Sequence, residues 1–348
     1  MNIYQPSFFD EADRLAKLSK LKDPLEALKQ HVDFEVFRPQ LEAVFNKERK
    51  SAAGRKAYDV VLMFKILILQ RLYNLSDEQA EFQINDRQSF QRFLGLHLGH
   101  PVPDFSTVWL FREALTVAGA IKPLFDTYTA ILAQQGIVTK AGTIVDASFV
   151  EVPRQRNTRE ENKTIKQGET PPGWETQPHK LSQKDLDARW TKKNSETFYG
   201  YKNHIRADAD SAIITDYQVT DAAVHDSQPL PELIGAQNKD ENLFADSAYK
   251  SAKIDAQLAE LGVNNYIHEK GARNRPLNTL HLELNRLKSQ IRCTIEHLFG
   301  CMENSMGGPE LEYIGLPRIS TGIGLGNLAY NLLRHLQLIR LGRAPARV

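Results

Sequence analysis

The chain has 348 residues, of which 41% are hydrophobic and 25% are charged. This composition excludes a disordered chain, a collagen-like chain and a coiled-coil rod, and the length favours two domains. The net charge of +1 conceals unlike segments, because residues 1–139 carry 0, residues 140–206 carry +4, residues 207–266 carry −8 and residues 267–348 carry +5. An acidic segment between two basic segments suits a metal-binding centre flanked by phosphate-binding arms, although a solvated acidic face would give the same profile.

Cysteine usage and hydropathy indicate a soluble cytoplasmic protein. The two cysteines, Cys293 and Cys301, are too few for a disulfide scaffold or a structural zinc site. The N-terminus lacks the basic and apolar regions of a signal peptide. The longest apolar run, near Val60–Leu72, is interrupted by polar residues and falls short of the ~20 residues that cross a bilayer. We therefore expect no membrane partner.

The first 139 residues predict an all-α N-terminal domain. Apolar residues recur at three- and four-residue steps from Val60 to Leu72, which gives one apolar helix face. Ser76 and Gln79 have the spacing of a capping box, and Asp104 offers a second N-cap. A helix-turn-helix over 60–93 that recognises DNA ends is one interpretation. The apolar stripe could equally serve dimerisation, and a helical bundle without chemistry is the plain alternative.

The pattern changes at Gly142 and predicts an α/β domain over 140–340. An apolar, β-branched strand over 143–152 is followed by a polar insertion or long loop over 153–198. The remaining elements are strands over 198–207, 212–219, 242–246 and 264–268, and helices over 229–236, 251–261 and 281–302. The strands over 198–207 and 212–219 are expected to be antiparallel neighbours joined through residues 208–211. Strands that alternate with helices favour a sheet with helices on its faces.

Three acids stand at informative places in these elements. Asp146 and Asp246 lie at or near the ends of predicted strands, and Glu296 lies in the last predicted helix, one turn after Arg292. If the strands are neighbours, the carboxylates repel one another unless a cation lies among them, and oxygen ligands suit Mg²⁺ or Mn²⁺. Ordinary turn residues and helix caps remain an alternative. Spacing alone does not distinguish Asp246 from the other aspartates of the segment, which are Asp208, Asp216, Asp221 and Asp226.

The sequence around these acids resembles a known family. Six motifs follow in order: TIVDAS over 143–148, DARWTKK over 187–193, YGYKNH over 199–204, VTDAAVHDS over 219–227, ADSAY over 245–249 and RCTIEHLFG over 292–300. Together they resemble bacterial insertion-sequence transposases of the acid-triad type and are similar to the insertion-sequence five family. The helical part also matches, at Phe64-Lys65, Asp86-Arg87, Phe90 and Asp104–Thr107.

The resemblance implies a ribonuclease-H-like catalytic domain with a polar insertion. It implies that Asp146, Asp246 and Glu296 are the catalytic, metal-binding triad, which would hold two Mg²⁺ or Mn²⁺ ions per site. It also places Arg292 in the arginine–glutamate signature of the final helix. Ser289 and Glu303 stand where that signature has Tyr and Lys.

The function implied is that of a DNA transposase. Such an enzyme binds terminal inverted repeats, cleaves DNA and transfers the strand, acts on transposon ends and target DNA as a homodimer or higher oligomer, and associates with the bacterial nucleoid. Two alternatives stay open at this stage. One is a metal-dependent DNA nuclease that cuts without joining, and the other is a catalytically inactive DNA-binding derivative.

DNA contacts are expected from basic side chains, because phosphates dominate protein–DNA affinity. The candidates in the two basic segments are Arg154, Arg156, Arg159, Lys163, Lys166, Lys192, Lys193, Lys202, His204, Lys270, Arg273, Arg275, Arg286, Lys288 and Arg292. In the helical part Arg87 and Arg92 are the corresponding candidates. Trp190 could stack on an extruded base or anchor a loop. His225-Asp226 could be a metal ligand or general base, or a structural pair.

Overall fold

A computed structural model describes residues 9–45, 57–97, 99–193, 195–271, 276–308 and 311–345. The chain divides into two compact units, Met1–Thr127 with Ala329–Val348, and Tyr128–Leu328. Each unit has its own core. No helix within the described ranges has both the length and the apolar composition needed to cross a bilayer.

The first unit is helical, as the sequence predicts. Its helices are α1 (Asp10–Lys20), α2 (Pro24–His31), α3 (Arg38–Phe45), α4 (Val60–Tyr73), α5 (Asp77–Asp86), α6 (Gln88–Leu94), α7 (Phe105–Val117) and the start of α8 (Ile121–Gln134), with a 3₁₀ turn at Phe34–Phe37 and the end of the last helix. Ser76 and Gln79 form the predicted capping box, and Asp104 caps α7 through the Thr107 N–H. These bonds satisfy helix N–H groups that would otherwise lack acceptors.

The second unit contains a six-stranded mixed sheet. Its strands are β1 (Thr143–Glu151), β2 (Arg189–Lys193), β3 (Glu196–Asp208), β4 (Ile214–Asp221), β5 (Asn242–Phe244) and β6 (Asn264–Asn265). The order is β2-β3-β1-β5-β6, and β4 also pairs with β3. β1 is antiparallel to β3 and parallel to β5, and β6 is parallel to β5. The sequence correctly predicts the antiparallel pairing of the strands that became β3 and β4.

Helices lie on both faces of this sheet. The helices that follow β1 in the chain are α9 (Arg159–Lys166), α10 (Pro178–Ser182), α11 (Leu230–Leu233), α12 (Ala252–Glu260), α13 (Thr279–Ser305) and α14 (Leu316–Arg340). Residues of α11 and α12 form a buried cluster with Val145, Leu243 and Ala245 of the sheet. Side chains alternate along a strand, so Asp146 faces the opposite side, where α13 packs against β1.

The polar segment over 153–198 is an ordered subdomain rather than a long loop. It contains α9, α10 and β2, and Trp174 is fully buried within it. Glu161 accepts hydrogen bonds from the Trp174 indole at 2.9 Å and from Lys180 at 3.1 Å. The Tyr201 hydroxyl donates to Asp185 at 2.7 Å, which ties the segment to β3. Its polar composition therefore reflects internal hydrogen bonding around one aromatic anchor.

One long helix has no counterpart in the sequence prediction. Helix α14 is almost continuously buried from Ile319 to Leu336, so it has no polar face and no amphipathic period. Its glycines at 322, 324 and 326 also lower helix propensity, by roughly 1 kcal/mol each relative to alanine. Burial on all sides, a tertiary effect, therefore determines this element.

Candidate active site

Asp146 lies in β1, and Asp246 lies just beyond the end of β5, the parallel strand next to it. The register pairs Thr143 with Leu243 and Ile144 with Phe244, and each acid lies two residues further along its strand direction. Two residues complete one pleat, so both carboxylates leave the same face of the sheet. The sequence places Asp146 at or near a strand end. The structure places it inside β1, which continues to Glu151, and the parallel partner β5 is the strand that ends nearby.

The Asp146 carboxylate has few donors for a group that is only 20% exposed. Its Oδ1 accepts the Ala147 N–H at 2.8 Å, and its Oδ2 accepts Arg292 Nη2 at 3.2 Å. Burial raises the pKa of Asp146 above its usual range, and the nearby charge of Asp246 raises it further, against the lowering effects of Ala147 and Arg292. A carboxylate whose charge is disfavoured by burial and by a second carboxylate is one that a bound cation stabilises.

Asp246 begins the short turn that follows β5. Its Oδ1 accepts the Ala248 N–H at 2.8 Å and so caps the 3₁₀ turn Ser247–Tyr249. The last residue of that turn, Tyr249, is 1% exposed, and within the described part of the chain its hydroxyl has no hydrogen-bond partner. Burial raises the pKa of Tyr249 well above its ordinary value, and Asp146, Asp226 and Asp246 raise it further. Sequence reasoning overlooked this phenol as a site residue.

Helix α13 supplies the remaining group at the acids. Arg292 is 13% exposed and contacts Asp146, whereas Glu296 is exposed one turn further along the helix. Across the residues that the structure describes, no three His, Cys, Asp or Glu side chains converge as a ready metal site. The structure therefore brings together Asp146, Asp246 and Arg292, and leaves the predicted third acid outside the group.

The donor chemistry of this group fits a hard divalent cation. Asp146 and Asp246 offer carboxylate oxygens, which Mg²⁺ and Mn²⁺ prefer to the nitrogen and sulfur ligands typical of zinc. The raised pKa of Asp146 and the buried, unpartnered Tyr249 hydroxyl both indicate polar capacity that the described part of the chain itself does not satisfy. Two carboxylates are present; a third ligand would have to come from elsewhere, such as Glu296.

A second ion pair joins β3 to the segment that follows β4. Lys202 Nζ is bonded to Asp226 Oδ1 at 2.7 Å and to the Val224 carbonyl at 2.7 Å, and its side chain is 9% exposed. His225 is exposed and bonds Ser227 rather than Asp226. The His225-Asp226 motif therefore splits in the structure, because Asp226 turns inward to the lysine.

Exposed cations lie at the sheet edge formed by β2, and the charge of one of them, Lys193, acts on Asp146. Arg154, Lys192 and Lys193 are exposed, and Arg154 lies 5.7 Å from the ring of Trp190, which is itself 40% exposed. Lys193 lies 5.7 Å from the ring of Phe149 on β1, and its charge lowers the pKa of Asp146. This group, Arg154, Trp190, Lys192 and Lys193, is named the β2 basic edge.

Two of the predicted DNA-binding residues have no surface to offer. His204 is fully buried, bonds Thr220 at 2.8 Å and has its pKa lowered to about 4 by burial, so it is neutral at pH 7. Lys202 is committed to Asp226 as described above. A buried neutral histidine cannot neutralise a phosphate, which corrects the expectation for His204.

Arg92 also makes internal contacts. Its guanidinium bonds Asp23 at 2.6 Å, Ser19 at 2.8 Å and the Leu15 carbonyl at 3.3 Å, and its side chain is 15% exposed. Arg87 is exposed and lies 5.1 Å from the Phe90 ring. Arg87 and Arg92 are equal candidates in the sequence, but in the structure only Arg87 presents an exposed guanidinium that could bind DNA.

The other basic candidates divide in the same way. Lys288 bonds the Ile267 carbonyl at 2.9 Å. Arg273 and Arg275 lie outside the described residues. The exposed ones are Arg156, Arg159, Lys163, Lys166, Lys270 and Arg286.

Comparison with protein families identifies the class of protein to which the chain belongs. Residues 139–332 match the family described as "Transposase DDE domain", and residues 13–114 match the one described as "Transposase domain (DUF772)". The chain belongs to the DDE transposase family and is a DDE-type transposase of the insertion-sequence kind. The acid-triad resemblance is thereby confirmed, whereas membership of the insertion-sequence five family stays a prediction.

One solved structure is similar to this chain over most of the length of both. It is described as "Cryo-EM structure of piggyBac transposase synaptic complex with hairpin DNA (SNHP)", with 11% identity and a TM-score of 0.47. The match covers 95% of this chain and 78% of that chain.

Proposed function

We propose that this transposase binds the terminal inverted repeats of an insertion sequence, cleaves the DNA and transfers the strand at a centre built on Asp146 and Asp246. The observation that carries the proposal is the adjacency of β1, which contains Asp146, and the parallel strand β5, which ends two residues before Asp246. The strand order, with helices on both faces, supports a ribonuclease-H-like domain around this centre. The domains proposed are 1–139 for end recognition, where the apolar stripe could equally serve dimerisation, and 140–340 for catalysis.

Asp146 and Asp246 would hold the divalent cations, Mg²⁺ or Mn²⁺, with Glu296 as the proposed third ligand. When bound, such ions neutralise charge on the phosphodiester and lower the pKa of bound water. Arg292 has a separate role, because its guanidinium neutralises Asp146 and holds that carboxylate on the α13 side. Tyr249 remains protonated because of its raised pKa, so the protein offers no phenolate nucleophile at this position.

The acids are tested by single substitutions in the full chain. Asp146→Asn and Asp246→Asn each remove one ligand charge, and we expect cleavage of a labelled transposon end to fall by about 10³-fold or more while end binding persists. Asp240→Asn is the matched control, because it removes a charge from the same acidic segment in an exposed turn before β5. Normal cleavage by either site variant contradicts the proposal.

Strand transfer distinguishes the proposed activity from simple nuclease activity. The same assay is run with labelled ends and a target plasmid in Mg²⁺. Joined products are expected alongside cleaved ends. Cleaved ends without joined products favour the metal-dependent nuclease, and the absence of both favours an inactive DNA-binding derivative.

We propose that the β2 basic edge contacts DNA near the acids. Each neutralised phosphate contributes about −0.9 to the slope of log K against log salt for duplex DNA. The double variant Lys192→Gln/Lys193→Gln should therefore lower the magnitude of that slope by about 2, with a matching loss of affinity at low salt. Lys239→Gln/Lys253→Gln removes two exposed charges elsewhere and should leave the slope unchanged. An unchanged slope in the first variant removes the β2 basic edge from the contact set.

We also propose that the enzyme works as a homodimer or higher oligomer, because transposition requires two DNA ends. Helix α13 has an exposed apolar seam, formed by Leu280, Leu284, Leu287 and Ile291. Their spacing is that of alternating a and d positions, so the seam is complementary to the same seam on a second copy. Leu284→Glu/Leu287→Glu should give a monomer by sedimentation. The control Leu282→Glu alters an exposed leucine on another side of the helix and should leave the oligomer intact.

A further inference from the structure

Tyr249 lies where the hydrophobic core meets the acids. Its ring belongs to the buried cluster that includes Val145, Ile254, Leu258 and Ile267. Its backbone is fixed as well, because its N–H donates to the Asp246 carbonyl at 3.2 Å in the turn that Asp246 caps. Packing in the cluster and this backbone hydrogen bond therefore hold the Tyr249 ring in place.

The surroundings of the Tyr249 hydroxyl are anionic. Burial is the largest cause of the raised pKa of Tyr249; Asp146, Asp226 and Asp246 raise the pKa further, and Arg292 lowers it. Even an ordinary tyrosine hydroxyl, with a pKa of about 10, keeps its proton at physiological pH and can donate a hydrogen bond. Among the described residues it has no acceptor, although three carboxylates are near.

A role in packing accounts for the ring and leaves the hydroxyl unexplained. Phenylalanine would fill the same space in the cluster without placing an unpaired polar group in the core. A buried hydroxyl without a partner lowers stability, so its presence is favourable only in a state where it is bonded. The acceptors in its surroundings are the carboxylates of Asp146 and Asp246, and that of Asp226, which already accepts a hydrogen bond from Lys202.

We propose that Tyr249 is a positioning residue: its hydroxyl donates a hydrogen bond to a carboxylate of the Asp146–Asp246 pair when that pair holds a divalent cation. The bond fixes one carboxylate oxygen and directs the other toward the cation. This inference rests on the proposed function, since it requires the acid pair to be the cation site. Tyr249 is 1% exposed and so acts through the carboxylate rather than on DNA.

The test compares Tyr249→Phe with the wild-type full-length protein and with Tyr266→Phe. Tyr266 is a suitable control because it is 41% exposed and stacks on Phe244 of the neighbouring strand. Three quantities are measured: Mn²⁺ affinity of the DNA-free protein by electron paramagnetic resonance, the thermal midpoint without metal, and the Mg²⁺ dependence of cleavage with kcat and KM separated.

A hydrogen bond to a charged group corresponds to about a tenfold effect or more. We expect Tyr249→Phe to bind Mn²⁺ about tenfold more weakly and to need correspondingly more Mg²⁺ for half-maximal cleavage. The KM for DNA should not change. The metal-free thermal midpoint should stay the same or rise, because an unpaired buried hydroxyl has been removed. Tyr266→Phe should match the wild type throughout.

Two results overturn the inference. One is a Tyr249→Phe variant whose Mn²⁺ affinity lies within twofold of wild type. The other is a variant whose metal-free midpoint falls while its Mn²⁺ affinity holds, which assigns the hydroxyl to the core. Asp146→Asn separates this failure from failure of the proposed function. If Asp146→Asn retains wild-type Mn²⁺ binding and cleavage, the acid pair itself is wrong; if it loses both while Tyr249→Phe is normal, only the role of Tyr249 is wrong.

Discussion

Asp208 and Asp146 belong to the same pair of antiparallel strands, and the chain treats their carboxylates in opposite ways. Asp208 is fully buried at the end of β3 and accepts the N–H groups of Thr139, Lys140, Asp210 and Ser211, together with the hydroxyls of Thr139 and Ser211. Asp146 accepts one backbone N–H and one guanidinium, beside a second acid. The first carboxylate joins two turns, whereas the second retains acceptor capacity for a ligand.

Stability measurements on the two carboxylates test that difference most strongly. Asp208→Asn replaces an acceptor oxygen by an amide that faces N–H donors, and we expect the free energy of unfolding to fall by about 3 kcal/mol. Asp146→Asn removes a charge that burial and Asp246 already disfavour, so stability should stay within about 0.5 kcal/mol or rise. Urea denaturation of each variant without metal provides both values.

A larger loss of stability for Asp146→Asn than for Asp208→Asn would contradict this difference between the two carboxylates. A loss of several kcal/mol for Asp146→Asn would mean that this carboxylate supports the fold as Asp208 does. Asp240→Asn, in an exposed turn, provides the baseline for a change of charge without loss of a buried network.

Local patterns predicted the elements whose cause is local. The capping box at Ser76, the cap at Asp104 and the pairing of β3 with β4 follow from nearby residues, and all three are present. Helix α14 was not predictable because its burial comes from the rest of the protein. The order within residues 153–198 depends on contacts such as Trp174 with Glu161, which hydropathy does not reveal.

In the candidate site, too, the sequence predicted what depends on local motifs. Motif order predicted Asp146 and Asp246 as a pair, and the register of β1 with β5 explains why the two residues are close. Sequence could not tell which cations are exposed, because Lys202 and His204 are buried only through partners on other elements. Tyr249 gave one weak signal, its place in the ADSAY motif after the second acid. Its unpaired hydroxyl is visible only in three dimensions.

Arg87 and Arg92, the two DNA-binding candidates of the helical unit, differ in the same way: one is exposed and the other makes internal contacts. Arg92 joins α1, α2 and α6 through Leu15, Ser19 and Asp23, and the Asp23 side chain is 7% exposed. Arg92→Met would leave that carboxylate buried without its cation, and we expect a loss of about 2–3 kcal/mol in unfolding free energy by urea denaturation.

Arg87→Met is the matched substitution, because Arg87 lies close to Arg92 in the sequence and its side chain is exposed. Its stability should change by no more than about 0.5 kcal/mol. If it contacts DNA as proposed, end-binding affinity should fall and the salt slope should decrease by about 1. Equal destabilisation by both variants would remove the distinction between them.

The free energy of unfolding should depend on pH through the buried histidine His204. His204 is fully buried, with Nε2 bonded to Thr220, and burial lowers its pKa to about 4 against an ordinary 6.5. A lowered histidine pKa means that the unfolded chain takes up the proton first, so stability is complete above about pH 6.5 and is lost as the pH falls toward 4. Between pH 7.5 and 5 this histidine should reduce the unfolding free energy by roughly 2 kcal/mol.

His204→Gln retains a polar atom near the position of Nε2 and cannot titrate, which isolates the histidine from the carboxylates that also respond to acid. Urea denaturation of both proteins at pH 7.5 and pH 5 should show the wild type losing about 2 kcal/mol more than the variant over that interval. Parallel losses would mean that His204 is charged in the folded protein at pH 5.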